Sequence, residues 1–361
     1  MIEEASMVKS LSVSVIILCC LTALGHAAEY PYIYKGMRPM GMGGAFVALS
    51  NDSNALFYNP AGLAAIGAVR APIFPLEVEV TENTYGIYKD AVDVDFDSEQ
   101  ETAQFLRDNV GELAHLNISV VPSYSMPRFA FCVFGTARID TEAHDLQYPR
   151  LEVQVINDYG LGAGYAHPLL GESLFIGASL KYVFRQSLTQ EYTVTDIVES
   201  DFDERVKDDL LDGNGALLDL GVIYKLTILG LANTRVGLSA NNLIGSKLGD
   251  AQDMDDHVDI GIAQDLDLKA TKLTLALDYV DLFSQIGEDN DPAKRIRFGA
   301  EIELLKFLEL RAGIYQGYFT AGLGLDGKVV RLDLVTYAEE IGTYAGQRAD
   351  RRYSLRLVGG F

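Results

Sequence analysis

From about residue 116 onward, apolar side chains recur at every second position, and this period constrains the chain more than any other feature. Leu174, Ile176, Ala178, Leu180, Tyr182 and Phe184 alternate with Gly177, Ser179, Lys181 and Arg185. Ile296, Phe298, Ala300, Ile302 and Leu304 alternate with Arg295, Arg297, Glu301 and Glu303. Successive side chains of a strand point to opposite faces, so a period of two means strands with one apolar face and one charged, small or glycine face. Alternation alone admits two folds. In a sandwich the apolar faces meet each other; in a membrane barrel they meet lipid, and the polar faces line a lumen.

The connections separate the two. Candidate strands fall at about 70–80, 116–126, 128–138, 151–166, 172–186, 214–226, 233–241, 257–268, 271–281, 295–305, 307–315, 318–326, 328–338 and 351–361. Odd-numbered connections are long and polar, apart from the eleventh, Gln316-Gly317. The tight ones, at Met126-Pro127, His167 to Glu172, Lys306 and Gly327, are all even-numbered. Long extracellular loops and short periplasmic turns sort in this way in outer-membrane barrels, whereas a sandwich has no reason to sort them. The expected fold is therefore all-β, a transmembrane antiparallel β-barrel of about fourteen strands. Tyr353 to Phe361 alternates to its end, so Phe361 is expected to close the last strand and serve as an assembly signal. Two loop stretches, Ser98 to His115 and Phe202 to Leu211, carry apolar residues at helical spacing. They are expected to form small helices that cap the mouth, lie at the membrane surface or pack on neighbouring loops.

Residues 1–27 read as a signal peptide, with Met1 or Met7 as the start, an apolar run from Leu11 to Leu24 and small residues at Gly25 and Ala27. Removing them leaves Cys132 as the one cysteine, so neither a disulfide framework nor a thiolate metal cluster is expected. The net charge of −22 argues against nucleic acid as a partner. With no Trp, interfacial belts must be built from the 19 Tyr and 16 Phe.

Residues 28–69, ahead of the barrel at 70–361, hold the sharpest motif. Gly41, Gly43 and Gly44 allow positive φ or close backbone approach. Asn51-Asp52 marks a turn, Asp52 or Ser53 can cap a short helix through Ala55 to Tyr58, and Asn59-Pro60 ends it ahead of Ala61. The segment is compact enough to fit inside something narrow. It lacks the third spaced glycine and the Gly-Lys-Ser/Thr of phosphate loops. Gly-Met-Gly-Gly-Ala at 41–45 and Ala-Leu-Phe-Tyr-Asn-Pro-Ala-Gly-Leu at 55–63 resemble the N-terminal region of the FadL-like outer-membrane transport superfamily. That superfamily includes long-chain fatty acid transporters, aromatic-hydrocarbon channels and the related PorV-like and TraF-like barrels. The resemblance implies a fourteen-stranded barrel with this segment as a hatch plugging the lumen, its Asn-Pro-Ala being Asn59, Pro60 and Ala61. Gly237 to Leu243, Arg311-Ala-Gly313 and Gly317 to Gly324 read like the PorV-like and TraF-like branch. The resemblance does not extend to ligand-pocket residues.

The lumen face is expected to carry Lys181, Asp219, Lys225, Asp259, Asp278, Arg295, Arg297, Glu301, Glu303, Arg311, Arg331 and Asp333. An open ionic pore favours one sign, so mixed charge implies either paired networks that hold a plug or simple solvation of a water-filled lumen. The histidines are scattered, no Gly-x-Ser-x-Gly elbow occurs, and Asp93-x-Asp95-x-Asp97 lacks the later positions of a calcium loop. No enzyme constellation, metal site or cofactor is expected. The resemblance implies transport of hydrophobic or amphiphilic small molecules of the long-chain fatty acid type across the outer membrane. The alternative is a non-transport scaffold or shuttle for secreted or surface proteins, as in the PorV-like branch. Expected partners are outer-membrane lipid and lipopolysaccharide, the barrel assembly machinery and a hydrophobic small-molecule ligand, with export through the Sec pathway.

Overall fold

A computed structural model describes residues 32–360 apart from 229–230, 246, 269–270, 287–290, 305–306 and 328. The signal-peptide reading and Phe361 lie outside the described residues. Fifteen strands form one antiparallel sheet: β1 (Ile73–Thr81), β2 (Leu113–Val120), β3 (Ser123–Met126), β4 (Phe129–His144), β5 (Arg150–Leu169), β6 (Leu174–Thr193), β7 (Leu211–Ile228), β8 (Leu231–Asn241), β9 (His257–Leu268), β10 (Thr271–Tyr279), β11 (Ile296–Leu304), β12 (Leu308–Tyr315), β13 (Tyr318–Asp326), β14 (Val330–Glu340) and β15 (Ala349–Gly359). β2 and β3 both pair with β4, from Leu113↔Glu142 to Val120↔Gly135 and from Ser123↔Cys132 to Met126↔Phe129. They are two pieces of one wall strand, broken at Val121-Pro122, where proline has no N–H for a ladder. β1 pairs with β2 on one side and β15 on the other, so the sheet closes into a barrel of fourteen wall strands, β3 being the fifteenth segment that completes the strand begun by β2.

All fourteen expected strands are present, with changed limits. β5 and β6 have 20 residues and β12 has 8. At about 3.3 Å per residue, the tall strands run about 40 Å farther along their own axes. The third connection, expected at 139–150, is only 145–149, because β4 continues to His144 instead of ending near 138. At their upper ends Thr141 and Gln190 stand in the register of the apolar face, so the contrast between faces fades while the ladder continues.

The helices also differ from expectation. The first expected helix ends at Asp108, and Leu113 to His115 belong to β2. Ser98 caps it by accepting the Glu101 N–H. The second spans Phe202–Asp208, and Leu211 already starts β7. The helix Phe202–Asp208 lies on the barrel's outer wall. Tyr159, Leu161 and Tyr165 of β5 and Leu180, Tyr182 and Phe184 of β6 are exposed on the outward face, with Tyr159 stacked on Phe184 at 5.1 Å. Farther up the same face, Val153, Leu188 and Tyr192 are buried beneath Ile197, Phe202, Val206 and Leu210. Outward apolar residues are thus exposed up to the Tyr159–Phe184 level and covered by the chain's own loop above it.

Candidate functional site: the hatch in the lumen

Almost every residue from Ile33 to Ile66 is buried or half-buried within the barrel. Met37–Gly41 forms a short helix, and Gly43 and Gly44 follow with φ of 63° and 74°. Few residues with a Cβ adopt that region, and Gly44 is also hemmed by Arg297 and Tyr315 of the wall. Asp52 caps the turn Ser53–Leu56 through the Asn54 N–H (2.9 Å), as its position predicted. Asn59-Pro60 departs from the reading. Besides following one turn it opens the next, Pro60–Ala65, with the Asn59 Oδ1 accepting the Ala61 N–H (3.1 Å) and Pro60 at the first position. The Asn59 Nδ2 donates to the Val47 carbonyl (2.9 Å), tying the two halves of the hatch together.

Two surfaces hold this segment. One is a band of inward-facing glycines in the wall. A Cβ on Gly177 would lie 2.5 Å from the Ala61 N, one on Gly237 2.7 Å from the Val47 O, one on Gly299 2.8 Å from the Met42 Cβ and one on Gly313 2.5 Å from the Gly43 N. Gly177 pairs with Gly221, Gly237 with Gly261 and Gly299 with Gly313, so the band runs in cross-strand pairs. Strand glycine marks a place where another backbone comes close, and here that backbone is the hatch. Leu56 and Leu63 complete the dry contact in a cluster with Cys132, Phe134, Val183 and Leu217 of the wall.

The other surface is charged. Arg38 of the hatch forks onto Glu301, with Nε to Oε2 at 2.9 Å and Nη2 to Oε1 at 2.6 Å. Its remaining donor reaches Asn51 (2.6 Å) and Asp52 (2.8 Å) within the hatch. Burial by itself raises the Asp52 carboxyl; the Arg38 guanidinium and the Asn54 N–H outweigh it and hold that carboxyl below the usual carboxylate range. From Glu301 the network continues across the wall. Arg311 donates to Glu301 (2.7 Å), Asp333 (3.2 Å) and Glu309, and Asp333 also accepts from Arg331 (3.0 Å) and Arg356 (2.7 Å). Asp278 holds the hatch from the other direction: its Oδ2 accepts the N–H groups of Phe46 (2.6 Å) and Val47 (2.8 Å).

The expected lumen charges therefore divide by place. Glu301, Arg311, Arg331 and Asp333 form one network, and Asp278 binds the hatch backbone. Lys181 is buried against Asp219, which also accepts from Ser179 (2.9 Å) and the Asn242 N–H (2.9 Å). Arg297 donates to the Tyr32 hydroxyl (2.5 Å) and lies 4.8 Å over the Tyr315 ring. Arg295 was expected on a strand; it lies in the turn Pro292–Arg295, buried against Asp281. Asp259 accepts the Asp281 N–H (2.8 Å). Lys225 and Glu303 stand exposed near the ends of β7 and β11, Lys225 4.4 Å over the Phe175 ring. The network residues are paired, and the solvated-lumen alternative does not describe them.

One cluster escaped sequence reasoning. His115 lies between Asp140 (2.5 Å) and Glu79 (3.1 Å), and Glu79 also accepts from Tyr337 (2.8 Å) and Ser354 (2.5 Å). Alternation places each of these inward; the pairing of β2 with β1 and β4 sets His115 between Glu79 and Asp140, and the closure of β1 on β15 brings in Ser354. Among the described residues no group of three or more His, Cys, Asp or Glu is placed to hold a metal ion. A cavity of about 540 Å³ remains between the hatch and the barrel end that holds the turn at Gly327. Arg38, Arg70, Arg331 and Arg356 line it together with Phe57 and Val121, the latter at the strand break.

A closed barrel with its N-terminal segment folded into the lumen is the fold of FadL-like outer-membrane transporters. The deltaS2 mutant of the monoaromatic hydrocarbon channel TodX, a protein of Pseudomonas putida, superposes with a TM-score of 0.57 at 14% identity, over 90% of this chain and 98% of that one. The monoaromatic hydrocarbon channel CymD gives 0.52 at 14% identity, over 92% and 99%. The toluene transporter TbuX of Ralstonia pickettii gives 0.50 at 14%, over 90% and 98%. The chain belongs to the family described as F plasmid transfer operon, TraF, protein, which matches residues 133–326. No curated protein matches it in sequence.

Proposed function

We propose that this barrel passes hydrophobic or amphiphilic small molecules, of long-chain fatty acid type, across the outer membrane, with the hatch as its closure. The observation that carries this reading is the cavity beneath the hatch, where Arg38, Arg70, Arg331 and Arg356 and the carboxylates of Asp52, Glu303, Glu309 and Asp326 stand beside an apolar side made by Phe57, Val69, Val121 and Val358. Such a lining suits a molecule with an apolar body and a polar end better than a hydrated ion. The fold shared with hydrocarbon channels supports it. In this reading the chain is exported through the Sec pathway, inserted by the barrel assembly machinery and surrounded by outer-membrane lipid and lipopolysaccharide, and it has no catalytic step. The test is uptake: a deletion strain is expected to lose growth on long-chain fatty acids or hydrocarbons and regain it on complementation.

One observation favours a second reading, a PorV-like scaffold or shuttle for secreted or surface proteins. The Arg38–Glu301–Arg311–Asp333 network ties the hatch to the wall as a permanent fixture would. If the deletion leaves such growth intact while a secreted protein fails to reach the surface, the transport reading is wrong and the scaffold reading replaces it.

A further inference from the structure

The outward face of β1, β13, β14 and β15 is not smooth. It carries a groove of about 690 Å³. Register explains its shape. Ala321 pairs with Thr336, Thr336 with Tyr353 and Tyr353 with Val80, while the next outward row toward the periplasm is Leu323, Leu334, Leu355 and Val78. The small residues Ala321 and Thr336 leave a depression between larger neighbours, and Phe319, two positions above Ala321, is 62% exposed. The Thr336 hydroxyl on the floor is shielded from solvent and makes no hydrogen bond.

Above this apolar depression stands a cation. Arg351 shares the outward register of Tyr353 and Leu355 and lies opposite Ala338. Its Nη1 reaches across the strand to the Phe319 carbonyl (2.8 Å), which sets the guanidinium along the upper rim. It has no carboxylate partner among the described residues, whereas Arg311, Arg331, Arg352 and Arg356 on the inward face are all ion-paired. An arginine facing lipid at the top of an apolar trough is costly unless an anion meets it there.

We propose that this face is a specific site for one anionic, phosphorylated lipid of the outer leaflet, its acyl chain in the Ala321–Thr336 groove and its phosphate on Arg351. The apolar lining continues the lipid-facing band, and guanidinium and phosphate are complementary in charge and in donor geometry. The proposal rests on the barrel standing in a membrane with its odd-numbered loops outward, and not on what it transports.

The test is native mass spectrometry of the purified full-length barrel in detergent, titrated with diphosphoryl lipid A or with phosphatidylcholine. The wild type is expected to retain lipid A at concentrations at least about tenfold below those needed for phosphatidylcholine. Arg351→Gln should remove that preference while leaving weak binding of both lipids, and Ala321→Phe, which fills the groove, should remove retention of both. Heat-modifiable gel migration confirms that each variant is a folded barrel, and Arg351→Lys should restore part of the preference if charge is what acts. A wild type without preference, or both variants binding as the wild type does, overturns the proposal. Fatty acid or hydrocarbon uptake by the same variants is expected to be unchanged, so failure here and failure of the transport reading are distinguishable.

Discussion

The two surfaces that hold the hatch use opposite physics. On β6 to β9 and again on β11 and β12, the hatch backbone lies directly on wall glycines, and the contact has no room for a side chain. On β11 to β15, long charged side chains reach across to Arg38 and to one another. The glycine surface fixes where the hatch sits, because its tolerance is less than one methyl group. The ionic surface fixes how firmly it stays, because each buried charge depends on its partner being present. Substitutions on the first surface should therefore act by exclusion, and those on the second by taking a partner from a buried charge.

The largest effect is expected from Gly221→Val, or equally Gly299→Val. Their side chains would occupy the space of Asn59 and Met42, so the hatch cannot seat in its present register. The disturbance should exceed the ~1–3 kcal/mol of an ordinary overpacked site, and the variants should show protease-accessible hatch residues and a raised conductance. Wild-type protection would show that the glycine band is incidental. Next comes Glu301→Ala, which removes the carboxylate shared by Arg38 and Arg311, leaves Arg38 to Asp52 and Arg311 to Asp333 and Glu309, and should cost about 1–3 kcal/mol in chemical unfolding in detergent micelles. A triple replacement of Arg38, Glu301 and Arg311 by apolar residues of similar volume should recover much of this loss, whereas a loss as large as the single variant's would contradict the account. Asn59→Ala removes a turn cap and the tie to the Val47 carbonyl, for about 1–2 kcal/mol. The smallest effect belongs to Arg150→Ala, which breaks a half-exposed pair with Glu191 on the tall rim and should cost less than about 1 kcal/mol.

The barrel was legible because its signal is repeated fourteen times. Each strand alternates, and no misplaced boundary changes the class. The charged residues of the site were legible for the same reason, since period two put Glu301, Arg311 and Asp333 on the inward face. Their pairing was not, because it depends on register and on which strands become neighbours when the sheet closes. His115 shows this most sharply: Glu79 and Asp140 come from the strands on either side of its own, and Ser354 arrives only through the β1–β15 seam. The wall glycines were visible as a pattern without a partner. Gly177, Gly237 and Gly299 sit at inward positions where a sequence reading sees only small residues, and the backbone they admit is more than 100 residues away in the chain. The upper reaches of β4 and β6 were missed for another reason. Above the Tyr159–Phe184 level loop residues cover Val153, Leu188 and Tyr192 on the outer face, and polar Thr141 and Gln190 interrupt the apolar stripe.

The central claim is that the segment from Ile33 to Ile66 closes the lumen, and it is tested most directly by ion conductance in planar bilayers, comparing the full barrel with a variant lacking those residues. The full barrel should give no steady water-filled conductance, and the deletion variant a stable, large one. Equal open-pore conductance from both would mean that the hatch does not close the barrel.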